Sequence, residues 1–269
     1  SYPLFLNVVL VTIFFKIDVV LLSAMKGSET VGYYAAAYKW VDGFLIVPST
    51  FTFAVYPALS RFAEQKGEGF RAAYEASIRT LVCIALPLAI GVAFLSGDLI
   101  LILGGQAYYP QSAQALTILI WFLPFSFVNG LTQYALIAVH RQRFITLAFV
   151  IAAAFNLVAN LIFIPAYGYY ATSVVTVLSE VVLMVPFLIA VRQSIGWPTW
   201  THTVGKPALA GALMLLVALA GLRVEVHLGL ILATAVYLVA LRALGVFSPE
   251  EIAVLRRLVQ RRRPVPAVG

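Results

Sequence analysis

The sequence predicts an all-α, polytopic membrane protein of about eight transmembrane helices, and three observations carry that expectation. Hydrophobic residues make up 62% of the 269-residue chain and charged residues only 11%, less than half of the roughly 25% charged share usual in soluble domains. Apolar runs of membrane-spanning length, about 20 residues, recur along the chain and leave no stretch for a soluble catalytic domain. Finally, Lys and Arg are plentiful in every second connection and sparse in the others, the pattern that membrane topology imposes.

The first span is expected over residues 3–25, a run too long for a signal-peptide core and without a small-residue cleavage site. Further spans follow at about 31–59, 77–95, 113–139, 144–164, 169–191, 204–222 and 228–244, each an apolar run closed by a short polar break. After the eighth, Ser248, Pro249, Glu250 and Glu251 read as the start of a short, basic, interfacial helix. Pro48, Pro57, Pro87, Pro124 and Pro186 fall inside spans, where a membrane helix bends because its neighbours re-satisfy the freed carbonyl.

One side of the membrane collects Arg61, Lys66, Arg71, Arg79, Arg141, Arg143, Arg192, Lys206, Arg242, Arg256, Arg257, Arg261, Arg262 and Arg263. The other has Lys26 and Arg223. This asymmetry puts both termini in the cytoplasm and requires an even number of spans. The net charge of +7 is thus read as topology, and no nucleic-acid partner is expected. Cys83 is the single cysteine, so no disulfide framework is available within the chain.

Five ionisable residues fall inside spans: Lys16, Asp18, Lys39, Asp42 and Glu180. Each would oppose insertion by about 2.5 to 3.5 kcal/mol at mid-membrane if it faced lipid, so they are expected to face protein or water. Lys39 and Asp42, three apart, share a helical face in line with Ala35 and Ser49. They form either an internal ion pair or a polar stripe lining a cavity. Lys16 and Asp18, two apart, point to opposite sides. Glu180 lies near Thr172, Ser173, Thr176 and Ser179, whose hydroxyls could hold it; alternatively it and Asp18 serve a coupling ion. Asn129 with Gln133, and Asn156 with Asn160, are i,i+4 pairs suited to bonding across helices or to touching sugar hydroxyls.

Soluble chemistry finds no footing. His140, His202 and His227 lie in three different connections on two sides of the membrane and cannot share a metal. Gly104-Gly105 lacks the Lys-Ser/Thr of a phosphate loop, and no nucleophile, base and acid have a common location. No catalytic residue, cofactor or metal is expected, and the protein is not expected to be an enzyme.

The stretch "FFKIDVVLLSAMKGSETVGYYAAAYKWVDGFLIVPSTFTFAVYPALSRF" resembles the seventh and eighth helices of the polysaccharide, O-antigen type, flippases of the multidrug/oligosaccharidyl-lipid/polysaccharide exporter superfamily. "LPLAIGVAFLSGDLILILGGQAYYPQSAQALTIL", "ALIAVHRQR" and "FNLVANLIFIPAYGYYATSVVTVLSE" are similar to later parts of the same half. The resemblance implies that residues 1–192 are the second six-helix lobe, that 193–246 hold two terminal transmembrane helices, and that 247–269 form a basic cytoplasmic tail. It also implies a longer protein whose amino-terminal lobe lies outside these residues. The implied activity is alternating-access movement of a polyprenyl-diphosphate-linked oligosaccharide across a bacterial inner membrane. Partners would be that substrate, membrane lipid, the missing lobe, and glycosyltransferases or a polymerase of the pathway. Lys16, Lys39, Asp42, Tyr38 and Gln133 are the expected substrate-binding residues, with Tyr34 also placed toward sugar, and Asp18 and Glu180 the expected coupling residues. The alternatives are a multidrug and toxin exporter of the same superfamily, which cavity lysines disfavour, and a non-transporting membrane scaffold for glycan assembly.

Overall fold

The structure, a computed structural model, describes residues 2–65, 68–222 and 225–247, with side chains from residue 12 onward except at 13, 15 and 68. The helix expected after Ser248 lies outside the described residues. The chain forms two compact units, residues 1–204 and 205–269. In the first, α1 (Tyr2–Phe44), α2 (Ile46–Glu64), α3 (Glu68–Phe94), α4 (Ser96–Gly104), α5 (Gln111–Leu119), α6 (Phe122–Ala138), α7 (Gln142–Tyr167) and α8 (Tyr169–Ile195) follow in order. The second holds α9 (Lys206–Gly221) and α10 (Val226–Ala243).

α1 is two limbs rather than one rod. Gly27 breaks it with φ 80° and ψ 175°, a backbone conformation open to glycine at no steric cost. The limbs fold back on each other, because the Tyr34 hydroxyl donates to Asp18 Oδ2 at 2.6 Å. Sixteen residues of uninterrupted helix would hold those positions about 24 Å apart.

Two other breaks follow prolines. α1 gives way to α2 at Leu45 and α5 to α6 at residues 120–121, the latter with a bend of 43°. Each break lies three or four residues ahead of a proline, Pro48 or Pro124, where the ring excludes the i−4 carbonyl and the N–H is missing. Pro57, Pro87 and Pro186 sit inside continuous helices.

Among the described residues six stretches are long and apolar enough to cross a membrane, and the bent α5–α6 pair makes seven. One of the six runs from Lys16 to Glu64, 49 residues, or about 74 Å of helix against a hydrocarbon core of about 30 Å. It is broken at Gly27, so the expectation of about eight spans stands against six to seven candidate spans, the longest of them broken. Residues 96–104, expected only as a connection, form the short helix α4.

The connections sort to two ends of the first unit. At one, Lys26 Nζ donates to the Pro165 carbonyl at 2.7 Å, and Tyr33 meets both Tyr108 and Tyr169 edge-on. At the other, a cavity is lined by Phe62, Arg71, Val139 and Ser194, joining the α2–α3, α6–α7 and post-α8 segments. These are the basic-poor and basic-rich sets of the sequence. α1 packs on α7, α7 on α8, α8 on α6, and α6 on both α2 and α3, around a core that includes Phe14, Phe149 and Phe187 in successive edge-to-face contacts.

Candidate functional site

Fold-back at Gly27 brings the two limbs of α1 side by side, so their ionisable residues meet although they are far apart in sequence. Asp18 turns inward and is 2% exposed. Its carboxylate accepts from the Tyr34 hydroxyl, from its neighbour's backbone N–H at Val19 (2.7 Å) and from Thr176 Oγ1 of α8 at 3.3 Å. Lys16, on the opposite side of that limb, is exposed. Its ammonium lies 5.8 Å from the Tyr38 ring centroid, within cation–π range, and it is an electrostatic neighbour of both Asp18 and Asp42.

Lys16, Tyr38 and Asp42 are therefore brought together, Lys16 and Asp42 exposed and Tyr38 buried. Lys39 goes elsewhere. It lines a cavity of about 340 Å³ with Ala35, Leu103, Gly104 and Tyr108, against α4. Among the described residues no ion pair joins Lys39 to Asp42 in this conformation, so the pair allowed by their spacing is not formed and Lys16 is the cation beside Asp42. The helical wheel accounts for this, since positions three apart still diverge by about 60° at 3.6 residues per turn. Lys39 leans to α4 while Asp42 looks toward the first limb.

Glu180 is 1% exposed, and its partner is not the nearby hydroxyls. Asn129 of α6 donates to Glu180 Oε2 at 2.6 Å and to its backbone carbonyl at 2.9 Å. Ser173, Thr176 and Ser179 instead donate to the carbonyls four residues back, the ordinary local bond of a helical hydroxyl. Asn156 donates to Ser179 Oγ and Asn160 to Asn156 Oδ1, so these amides serve contacts inside the lobe. Tyr34 is fully buried and unavailable to a sugar. Gln133 is half-buried on α6, without a hydrogen bond to the α1 cluster among the described residues.

Sequence reasoning passed over an aromatic group where α2 faces α6. Tyr134 of α6 meets Phe53 and Tyr56 of α2 edge-on, with ring centroids 5.8 and 5.5 Å apart. A signal was present: Asp42, Ser49, Phe53 and Tyr56 are spaced by seven, four and three, which places them on one helical face.

Comparison with known proteins gives a family description over part of the chain and a shared fold over most of it. A family model described as a polysaccharide biosynthesis protein matches residues 1–115. No curated protein matches the chain in sequence. Among solved structures, the lipid II flippase MurJ in an inward closed conformation is similar, with a TM-score of 0.76 at 18% identity over 91% of this chain. The match covers 53% of MurJ, so the chain spans about half of that protein's length and shares the fold of that half. The family model links residues 1–115 to polysaccharide biosynthesis, and the likeness to MurJ is one of fold.

Proposed function

We propose that the chain is one lobe, with a terminal helix pair, of a transporter that moves a polyprenyl-diphosphate-linked oligosaccharide across the bacterial cytoplasmic membrane for cell-surface polysaccharide synthesis, an O-antigen type glycan included. No bond in the substrate is made or broken, so the protein acts as a transporter and not as an enzyme. A lobe beyond these residues supplies the facing wall of the cavity, and the two alternate between inward and outward states, as in repeat-built transporters whose site lies at the repeat interface. The basic-rich end faces the cytoplasm, as do both termini.

The exposed Lys16 ammonium is the observation that carries this reading. A lysine beside an aromatic ring and near the Asp18 and Asp42 carboxylates, yet exposed on its outer side, is placed in a membrane protein where an anion or water must meet it, and a diphosphate suits a point cation. Lys39, over its own cavity, is a second contact to the head group in another state. Asp42 and Tyr38 hold Lys16 in place when substrate is absent, and Gln133 reaches the glycan. Asp18 and Glu180 exchange the coupling ion or proton from inside the lobe. An organic-cation exporter is disfavoured by the same exposed lysine.

The test is reconstitution of the full-length protein in vesicles, following a lipid-linked oligosaccharide from one leaflet to the other. Lys16→Ala is expected to lower flipping at least about tenfold, roughly 1.4 kcal/mol of lost interaction, with normal insertion, and Lys16→Arg to retain part of it. Parental flipping by the alanine variant would defeat the proposal.

A further inference from the structure

Where α2 crosses α6, a cavity of about 210 Å³ is lined by Pro48, Ser49, Thr52, Phe53, Ser126, Gly130 and Tyr134. Its chemistry is distinctive for what the hydroxyls do. Elsewhere in these helices Ser77, Thr80, Thr117, Thr132, Ser179 and Ser194 each donate to the carbonyl four residues back. Thr52 and Ser126, residues 2% and 9% exposed, bond to no protein group among the described residues, and their oxygens are not among the enclosed ones, so they are open to an occupant of the cleft. The Tyr134 hydroxyl likewise has none. Three hydroxyls without partners therefore converge on one cavity, beside the Tyr134 ring and a Phe53 side chain that is 64% exposed.

The lining decides the class of occupant. It contains no Lys, Arg or His for a phosphate and no Asp or Glu for an organic cation. An alkyl chain would leave the hydroxyls unsatisfied, which is unfavourable in a buried site. A neutral, polyhydroxylated ring satisfies them while its C–H face lies on an aromatic side chain, the division of labour typical of small-molecule sites with apolar walls and a few convergent polar groups. The volume lies below the roughly 300–1,000 Å³ of drug-sized pockets, so it suits one ring and not a chain of them. Position agrees as well. Phe53 lies on α2, eleven residues beyond Asp42 across the break at Leu45, so a glycan whose diphosphate sits at Lys16 has the cleft within about 16 Å of chain.

We infer that the α2–α6 cleft is a subsite for one pyranose ring of the glycan, with Tyr134 and Phe53 as the stacking wall and Thr52, Ser126 and the Tyr134 hydroxyl as its hydrogen-bond partners. This rests on the flippase reading above. Gly130 provides a clean probe, because a Cβ built there meets nothing within 4 Å. Gly130→Leu starts from a Cβ that meets no neighbour and directs the rest of its side chain into the cleft.

Binding to the full-length protein in nanodiscs is measured with two probes, undecaprenyl diphosphate and undecaprenyl diphosphate carrying a single N-acetylhexosamine. The unmodified protein is expected to bind the glycosylated probe about tenfold more tightly. Gly130→Leu, and separately the near-isosteric double change Thr52→Val with Ser126→Ala, remove that increment and leave binding of the unglycosylated probe unchanged. Lys16→Ala weakens both probes equally. If the sugar adds no affinity, or if the increment survives both cleft variants, the subsite is overturned while the diphosphate reading stands on its Lys16 dependence. If Lys16→Ala changes neither probe but the cleft variants abolish the increment, the diphosphate reading falls and the subsite stands. Failure of both probes to bind overturns the subsite.

Discussion

The interior of the α1–α8 unit and the α9–α10 hairpin solve the same problem, holding helices together in lipid, by opposite means. The first buries Asp18, Asn129, Asn156, Asn160, Thr176, Ser179 and Glu180 and links them across α1, α6, α7 and α8 by hydrogen bonds. Among the described residues of the hairpin Tyr237 carries the one buried polar atom of a side chain, and no carboxylate, amide, Ser or Thr is buried. There the contact is backbone on backbone: a Cβ built at Gly221 would lie 2.5 Å from Gly229 Cα, and one at Gly229 2.7 Å from Gly221 Cα. Small residues that allow such approach are a general device of membrane helix packing. An apolar, close-packed hairpin needs only to stay assembled. A buried set of carboxylates and amides is harder to maintain in a membrane, because each member needs a partner inside the protein.

The largest effect is expected where the polar set is broken on one side. Asn129→Leu leaves the Glu180 carboxyl buried without its side-chain partner, a loss of about 3 kcal/mol, whereas Asn129→Leu combined with Glu180→Leu recovers much of it. Unfolding of the full-length protein in detergent, read as a double-mutant cycle, measures this. An additive cycle would mean that the 2.6 Å contact contributes nothing.

In the hairpin the methyl of Gly221→Ala is expected to cost about 1–3 kcal/mol as overpacking against backbone, as is that of Gly229→Ala. Proteolysis or hydrogen exchange across α9 and α10 should rise while α7 and α8 keep their protection. Uniform protection in both regions would erase the contrast between them.

The smallest effect sits at the mouth of the hairpin. Glu225 caps α10 by accepting from the Leu228 N–H at 3.2 Å, and His227 Nδ1 lies 3.0 Å from its carboxylate. The bond from Leu228 and, after it, the His227 contact hold its pKa below the usual glutamate value. A lowered folded-state pKa means that the cap's contribution is complete above the unfolded value and is lost as pH falls through the folded one. Exchange at the start of α10 should therefore quicken in that acid range, and Glu225→Ala should abolish the pH dependence without altering α3 or α8.

How far the sequence reached differs between these regions for a physical reason. Hydropathy and the Lys/Arg alternation are read along one dimension, so the spans, the two ends and the proline breaks at Leu45 and before Pro124 were legible. Which residues meet across space was less so. The two-residue spacing of Lys16 and Asp18 indicated opposite faces, but the contact of Lys16 with Tyr38 depends on the chain doubling back at Gly27. Lys39 and Asp42 shared a face by spacing, yet neighbouring helices drew them apart. The partner of Glu180 came from α6, fifty-one residues away, because the nearer hydroxyls were already committed to their own backbone. The α2–α6 aromatic group had a helical spacing that could have been found, but Tyr134 joins it only through packing.

Cysteine chemistry tests the central claim, that the exposed cation at Lys16 meets the substrate's diphosphate, most directly. These residues hold one cysteine, Cys83, and it is buried, so a Lys16→Cys variant, with any cysteine outside them replaced, offers one accessible thiol. Flipping of a lipid-linked oligosaccharide by the full-length protein is then measured before and after modification with an aminoethyl reagent, which restores an ammonium, and with an ethyl reagent of similar length, which does not. The account predicts low flipping by the unmodified and ethylated proteins and substantial recovery with the aminoethyl group. Equal rates in all three states would contradict it.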